Sequence, residues 1–169
     1  QMEQLARDVS EQQRRVADLN QGIDDRMRRF EPQKVTIDER EITVEPDEKR
    51  LYDEALAGFR RGDYAAASTG FGGLLRRFPS SGYREAALFW LGNAQYALKD
   101  YKEAISTFRS LVAAAPQSPR APEAMLAIAN CQAELKDRVA ARKTLDDLVK
   151  TYPRSEAAQA GKERLAALR

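Results

Sequence analysis

Three prolines, Pro79, Pro116 and Pro153, stand 37 residues apart, and the sequence around each superposes on the others without a gap. In that register Asp63, Asp100 and Asp137 align, then Tyr64, Tyr101 and Arg138, then Ala67, Ala104 and Ala141. Phe71, Phe108 and Leu145 follow, and after them Leu74, Leu111 and Leu148. An earlier column of small residues, Ala55, Gly92 and Ala129, opens each unit, and Ser81, Ser118 and Ser155 close it. Such a chain forms one supersecondary unit three times, each copy covering the apolar face its neighbour cannot bury alone.

The columns spell helix, turn, helix. Each Asp precedes an apolar three-four pattern, where its carboxylate can accept from free first-turn amides; Asp100 with Glu103 also has capping-box spacing. Tyr64, Ala67, Phe71, Leu74 and Leu75 form one helical stripe, and Tyr101, Ala104, Phe108, Leu111 and Val112 form the next. The prolines end these second helices, and the Ser column is placed to cap the following first helix, with Pro119 where a missing amide costs nothing. Small residues at Ala55, Gly92 and Ala129 facing Ala67, Ala104 and Ala141 let the two helices of a hairpin cross closely. Leu91-Gly92, Tyr101, Ala104, Phe108 and Pro116 resemble the tetratricopeptide (TPR) consensus at its own spacings, three residues longer per unit than the usual ~34. The expected fold is therefore all-α: an N-terminal coiled-coil helix followed by a TPR α-solenoid. The solenoid spans 47–169, with repeats at about 48–81, 85–118 and 122–155 and a capping helix at 156–168.

Residues 1–30 carry a different period. Met2, Leu5, Val9, Gln12, Val16, Leu19, Ile23, Arg26 and Phe30 alternate by three and four, the a and d positions of four heptads. The seam is narrow, so an isolated helix gains little by forming and association is expected. Gln12 and Arg26 at d weaken the seam and can set register, and the a and d residues leave dimer against trimer open. A lone helix docking on its own solenoid is the other reading. Arg26, Arg28 and Arg29 read as a solvated basic face. Residues 31–46 form a linker between Pro32 and Pro46 with two short alternating runs, Val35 with Ile37 and Ile42 with Val44. A small hairpin and an extended charged segment both fit it.

Composition removes most chemistry. There is no histidine, which excludes the commonest general base and metal ligand, and the single Cys131 cannot build a thiolate site alone. No catalytic residue, metal or cofactor is expected. Lys plus Arg number 28 against 26 Asp plus Glu, so no global field selects nucleic acid, and no apolar window is long enough to cross a bilayer. Gly161-Lys162 lacks the flanking residues of a phosphate loop, and Gly70, Gly72 and Gly73 fall inside a second helix, where close packing or local weakness explains them.

A protein partner is the remaining expectation. Counted from each hairpin's start, the first helices offer a groove lined by Tyr52, Phe59, Phe89, Trp90, Asn93, Tyr96 and Asn130, with Leu56, Arg60, Leu126 and Glu134 beside them. Asn93 and Asn130 lie one repeat apart, and an amide there can both donate to and accept from an extended peptide backbone. Trp90 is equally readable as an inter-helix core residue.

The combination of this coiled coil with Ala87-Leu88-Phe89-Trp90-Leu91-Gly92-Asn93-Ala94-Gln95-Tyr96, Phe78-Pro79-Ser80-Ser81 and Pro46-Asp47-Glu48-Lys49-Arg50-Leu51-Tyr52 resembles the Tol-Pal system periplasmic protein family (YbgF, also called cell division coordinator CpoB). The resemblance implies an exported periplasmic protein that trimerises through its coiled coil. It further implies that the protein binds the inner-membrane protein TolA and links the Tol-Pal machine to a peptidoglycan synthase, coordinating wall synthesis with outer-membrane constriction. An outer-membrane assembly lipoprotein with TPR units is the nearest rival and would carry a lipidated cysteine at its mature N-terminus, where this chain has Gln1. A generic peptide-binding TPR adaptor would need a basic clamp, for which Arg60 and Lys99 are the nearest candidates and Glu134 an opposing charge.

Overall fold

A computed structural model describes residues 2–28 and 30–167. Arg29 of the basic cluster and Leu168 at the expected end of the capping helix lie outside the described residues. The chain divides into two compact units, residues 1–46 and 47–169. Among the described residues the helices are α1 (Met2–Arg28), α2 (Pro46–Arg60), α3 (Tyr64–Arg77), α4 (Arg84–Ala97), α5 (Tyr101–Ala114), α6 (Arg120–Glu134), α7 (Arg138–Thr151) and α8 (Glu156–Ala167). Two strands, β1 (Gln33–Ile37) and β2 (Arg40–Val44), lie between α1 and α2.

The second unit is the expected solenoid: α2–α3, α4–α5 and α6–α7 are helical hairpins, and α8 packs on α6 and α7. The turn inside each hairpin is set by one residue in the left-handed region, Gly62 (φ 79°), Lys99 (φ 65°) and Lys136 (φ 63°), again 37 residues apart. Beyond it the amides of Asp63, Asp100 and Asp137 each donate back to the carbonyls of Gly58, Gln95 and Gln132 at 2.9 Å, the closure of a Schellman motif. The Asp column then starts the second helix. Asp63 accepts from the Ala66 amide and Asp137 from the Ala140 amide, both at 3.0 Å. Asp100 makes no such side-chain bond, so the expected capping box with Glu103 does not form.

The Ser column behaves differently from the expectation in two of three units. Ser155 caps α8 directly, accepting from the Ala158 amide at 3.0 Å. Ser81 and Ser118 sit ahead of α4 and α6 and accept from the amides two residues on: Ser81 from Tyr83, just before α4, at 3.1 Å, and Ser118 from Arg120, the first residue of α6, at 3.3 Å. Ser81 also donates to Glu48, which joins the start of α2 to the turn before α4 and gives that buried carboxylate a partner.

The core follows the aligned columns. Phe71, Phe108, Leu74, Leu111, Leu145 and Leu148 are fully buried, and burying each such side chain stabilises the fold by roughly 1.5–3 kcal/mol. They enter because the facing positions are small. A Cβ added to Gly92 would lie 2.6 Å from the Phe108 ring, and one added to Gly70 would lie 2.8 Å from the Ala55 Cβ. Of the three α3 glycines, Gly70 therefore belongs to the helix crossing, whereas Gly73 faces open space.

In the first unit the hairpin reading of the linker is the one the structure holds. β1 and β2 pair antiparallel with Val35 opposite Ile42 and Ile37 opposite Arg40. Asp38 (φ 49°) and Glu39 (φ 64°) form the two-residue turn, both left-handed as a type I′ turn requires. Along α1 the seam residues are solvent-exposed, from Val9 at 50% to Met2 at 86%, and Gln12 and Arg26 are exposed with them. Phe30 falls in a turn beyond the helix end, its amide bonded to Met27 O, so it is not a helical seam position.

Two glycine substitutions with opposite signs check this packing by chemical denaturation. Gly92→Ala should destabilise the chain by about 1–3 kcal/mol, because the Phe108 ring has to move. Gly73→Ala, which meets nothing, should stabilise it by about 0.5–1 kcal/mol through helix propensity.

Candidate functional site

The first helices line one side of the solenoid, with α4 touching α6 and α6 touching α8 directly. Their side chains at equivalent positions therefore form a continuous surface. At its N-terminal end lies a row of half-buried rings. Phe59 sits 5.2 Å from Tyr64 and 5.1 Å from Trp90, and Trp90 sits 5.4 Å from Phe89. The Arg120 guanidinium lies 4.8 Å from the Phe89 ring centre and 5.8 Å from that of Trp90. Such a cation over aromatic faces is stabilising by about 0.5–1 kcal/mol near the surface. Arg120 was not singled out by the sequence, because it precedes the groove positions by a turn of helix.

The expected groove residues separate into two groups. Phe59, Phe89, Trp90, Asn93, Tyr96 and Asn130 are all half-buried, with Phe89 and Tyr96 packed against the core cluster around Phe108. Tyr52 is not open to a partner: only 6% exposed, it stacks on Tyr83 at 4.2 Å and meets Phe71 edge-on at 5.8 Å. The ring therefore belongs to the core between the first two hairpins. Burial, followed by the nearby Asp53, Tyr52 and Glu48, pushes the Tyr83 hydroxyl up to about 12.

Asn93 donates from Nδ2 to the Phe89 carbonyl at 2.8 Å, a bond back along its own helix that leaves its Oδ1 as the group to present to a partner's amide. Tyr96 rests on Tyr101 at 5.4 Å, and burial followed by Glu134 raises its hydroxyl above the ordinary tyrosine range. The Tyr96 hydroxyl therefore keeps its proton through neutral pH. Arg60 and Lys99 are exposed at or just past the ends of α2 and α4, and Lys99 is part of the turn.

Two further residues per repeat escaped the sequence reading. Thr107 Oγ1 donates to Gln95 Oε1 at 2.7 Å, and one repeat later Thr144 Oγ1 donates to Gln132 Oε1 at 2.8 Å. Each bond ties a first helix to its second helix. The first hairpin has Gly58 and Gly70 at the same two columns, so the polar pair is replaced as a pair by direct backbone approach. That paired exchange was the available signal.

Among the described residues no group of three His, Cys, Asp or Glu side chains could hold a metal ion, and no helix is long and apolar enough to cross a membrane.

The family described as outer membrane lipoprotein, YfiO, matches residues 44–169. No curated protein matches the chain. Among solved structures, PcrH from Pseudomonas aeruginosa in complex with the chaperone binding region of PopD is 18% identical, covering 71% of this chain and 89% of that one at a TM-score of 0.60. The TPR2B domain of yeast Sti1 in its pHsp70 complex is 17% identical, with 72% and 94% covered at 0.59. The Arabidopsis OM64 TPR domain is 12% identical, with 71% and 94% covered at 0.58. At these identities they share the TPR fold with this chain.

Cys131 is fully buried, and that burial pushes its thiol up to about 11, so it stays protonated and shielded through neutral pH. Ellman's reagent at pH 8 should leave the native protein unlabelled and titrate one thiol in denaturant; rapid native labelling would contradict this placement.

Proposed function

Since this chain belongs to the outer membrane lipoprotein family YfiO, we propose that it acts in the periplasm as an adaptor, multimerised by α1 and holding a partner segment along α2, α4 and α6. The observation that carries the reading is one chain with two exposed or half-exposed apolar features. One is the uncovered apolar seam of α1, and the other is the row of half-buried aromatic and amide side chains from Phe59 to Asn130. A TPR array is a protein-interaction scaffold, and nothing in the described residues asks it to do more.

The finer assignment is an adaptor of the Tol-Pal system. In it the seam assembles a homotrimer, and the hairpin array binds TolA and a peptidoglycan synthase, coupling wall synthesis to outer-membrane constriction in division. Its support is the joining of a heptad helix to TPR hairpins, a combination the match over 44–169 does not include, because α1 lies ahead of it. A second reading, a scaffold for outer-membrane protein assembly, fits a family described as an outer membrane lipoprotein. The two differ in the partner held by the same groove.

Light scattering on the full chain and on residues 47–169, which form a compact unit of their own, tests the first half. A trimer that becomes a monomer on truncation is expected; a full-length monomer would sink the multimeric adaptor. The second half is read by titrating the full chain with soluble TolA and with an unfolded outer-membrane barrel precursor. Selective binding of TolA, weakened roughly tenfold by replacing Asn93 and Asn130 together with Ala, supports the division role. Selective binding of the precursor supports assembly instead.

A further inference from the structure

The three hairpins carry the same positions 37 residues apart, so each can be compared with the others side chain by side chain. On the first helices Phe59, Tyr96 and Ala133 are equivalent, and on the second helices so are Phe71, Phe108 and Leu145. In the first hairpin Phe59 lies against Trp90 at 5.1 Å. In the second, Tyr96 packs onto the buried cluster around Phe108. In the third both aromatic residues are cut back, to Ala133 and Leu145, and a cleft of about 250 Å³ opens where they would have been. Its walls are apolar, formed by Ala129, Ala141 and Leu145 with Ala133 and Ala167, and the two polar groups beside it are the half-buried Asn130 and the exposed Arg164.

We propose that this cleft between α6, α7 and α8 receives one aromatic side chain from an extended partner segment. The proposal rests on the groove reading above and names the residue type recognised at its far end. The occupant follows from the repeat: the two other copies fill the same place with a ring of their own, so the space has the shape of a ring. The volume is ample, since apolar cavities of ~150 Å³ already hold benzene. Arg164 is placed to cover the guest's face, as Arg120 covers Phe89 and Trp90 in the same solenoid. Asn130 can meet the guest's own backbone with both donor and acceptor. An aliphatic side chain would fill the space without using the cation.

The test uses the full chain labelled with [¹³C]methyl alanine, which puts reporters at Ala129, Ala133 and Ala141. N-acetyl-phenylalanine amide should shift these methyl resonances saturably, and N-acetyl-alanine amide should leave them unmoved. Ala133→Tyr rebuilds the side chain found at Tyr96 and should weaken the shifts roughly tenfold or more while keeping the melting temperature at or above that of the parent. Leu145→Phe rebuilds the equivalent of Phe108 and serves as the second plug should the first unfold. Silent methyls, equal shifts from N-acetyl-leucine amide, or undiminished binding in a folded plugged variant would overturn the proposal. So would matching shifts on deleting residues 168 and 169 without any probe, which would mean that the chain's own end is the occupant.

The groove is read separately with a Gly/Ser peptide bearing one central Phe. Tighter binding than the capped amino acid, lost in Asn93→Ala, supports both readings. No gain over the capped amino acid retains the cleft and removes the groove.

Discussion

Everything in the second unit depends on how closely the two helices of a hairpin cross. The columns Ala55, Gly92 and Ala129 on the first helices and Ala67, Ala104 and Ala141 on the second are small and buried, and the near absence of side chain there lets Phe71, Phe108 or Leu145 enter between the helices. At Gly92 the Phe108 ring occupies the volume any Cβ would take. The first hairpin reaches the same closeness another way, with Ala55 in the first helix and Gly70 in the second. Hairpins of one thickness stack with one register, and it is this stacking that brings side chains 37 residues apart onto one surface.

Apolar crossing alone would leave the helices free to slide by a fraction of a turn. The Gln95–Thr107 and Gln132–Thr144 bonds restrain that motion in the second and third hairpins. A part-buried hydrogen bond of this kind contributes only about 0.5–1.5 kcal/mol, yet leaving either partner unmatched costs more, so the pair favours one register over others. The first hairpin has glycines in both places and relies on contact. The first helices α4 and α6, which carry Asn93, Tyr96 and Asn130, are therefore braced against their second helices, and the Phe59–Trp90 ring contact ties α2 to α4.

The repeat made most of this legible before any coordinates. Period, helix order and core columns all follow from residues that recur every 37 positions, because each obeys the same packing demand. What escaped has a physical reason in each case. Tyr52 is equivalent to Phe89 but is covered by Tyr83, whose place in the turn before α4 no period announces. Asp100 has the right spacing for a capping box and does not use it. Asp38-Glu39 forms a type I′ turn without the Asn-Gly pair that would have signalled it, accepting left-handed backbone at two residues with side chains. Lys99 and Lys136 do the same where the first repeat has glycine.

The two units also differ in what their stability rests on. The hairpin array has buried leucines and phenylalanines in every repeat and an alanine-rich last helix, with Ala157, Ala158 and Gly161 closing its end, so its core is its own. The helix α1 has 27 residues and, in a single chain, an apolar stripe that stays in water. Its Glu11–Arg15 ion pair is worth only a few tenths of a kcal/mol. In the proposed adaptor such a helix would gain its free energy by covering the stripe with another copy, which would make its folding depend on protein concentration. Gln12 and Arg26, placed within the stripe, reduce that gain and limit the registers in which it can be had. The proposed adaptor would then present its arrays singly or three together, the concentration of the chain setting the share of each, with each array intact whether or not the helices have met.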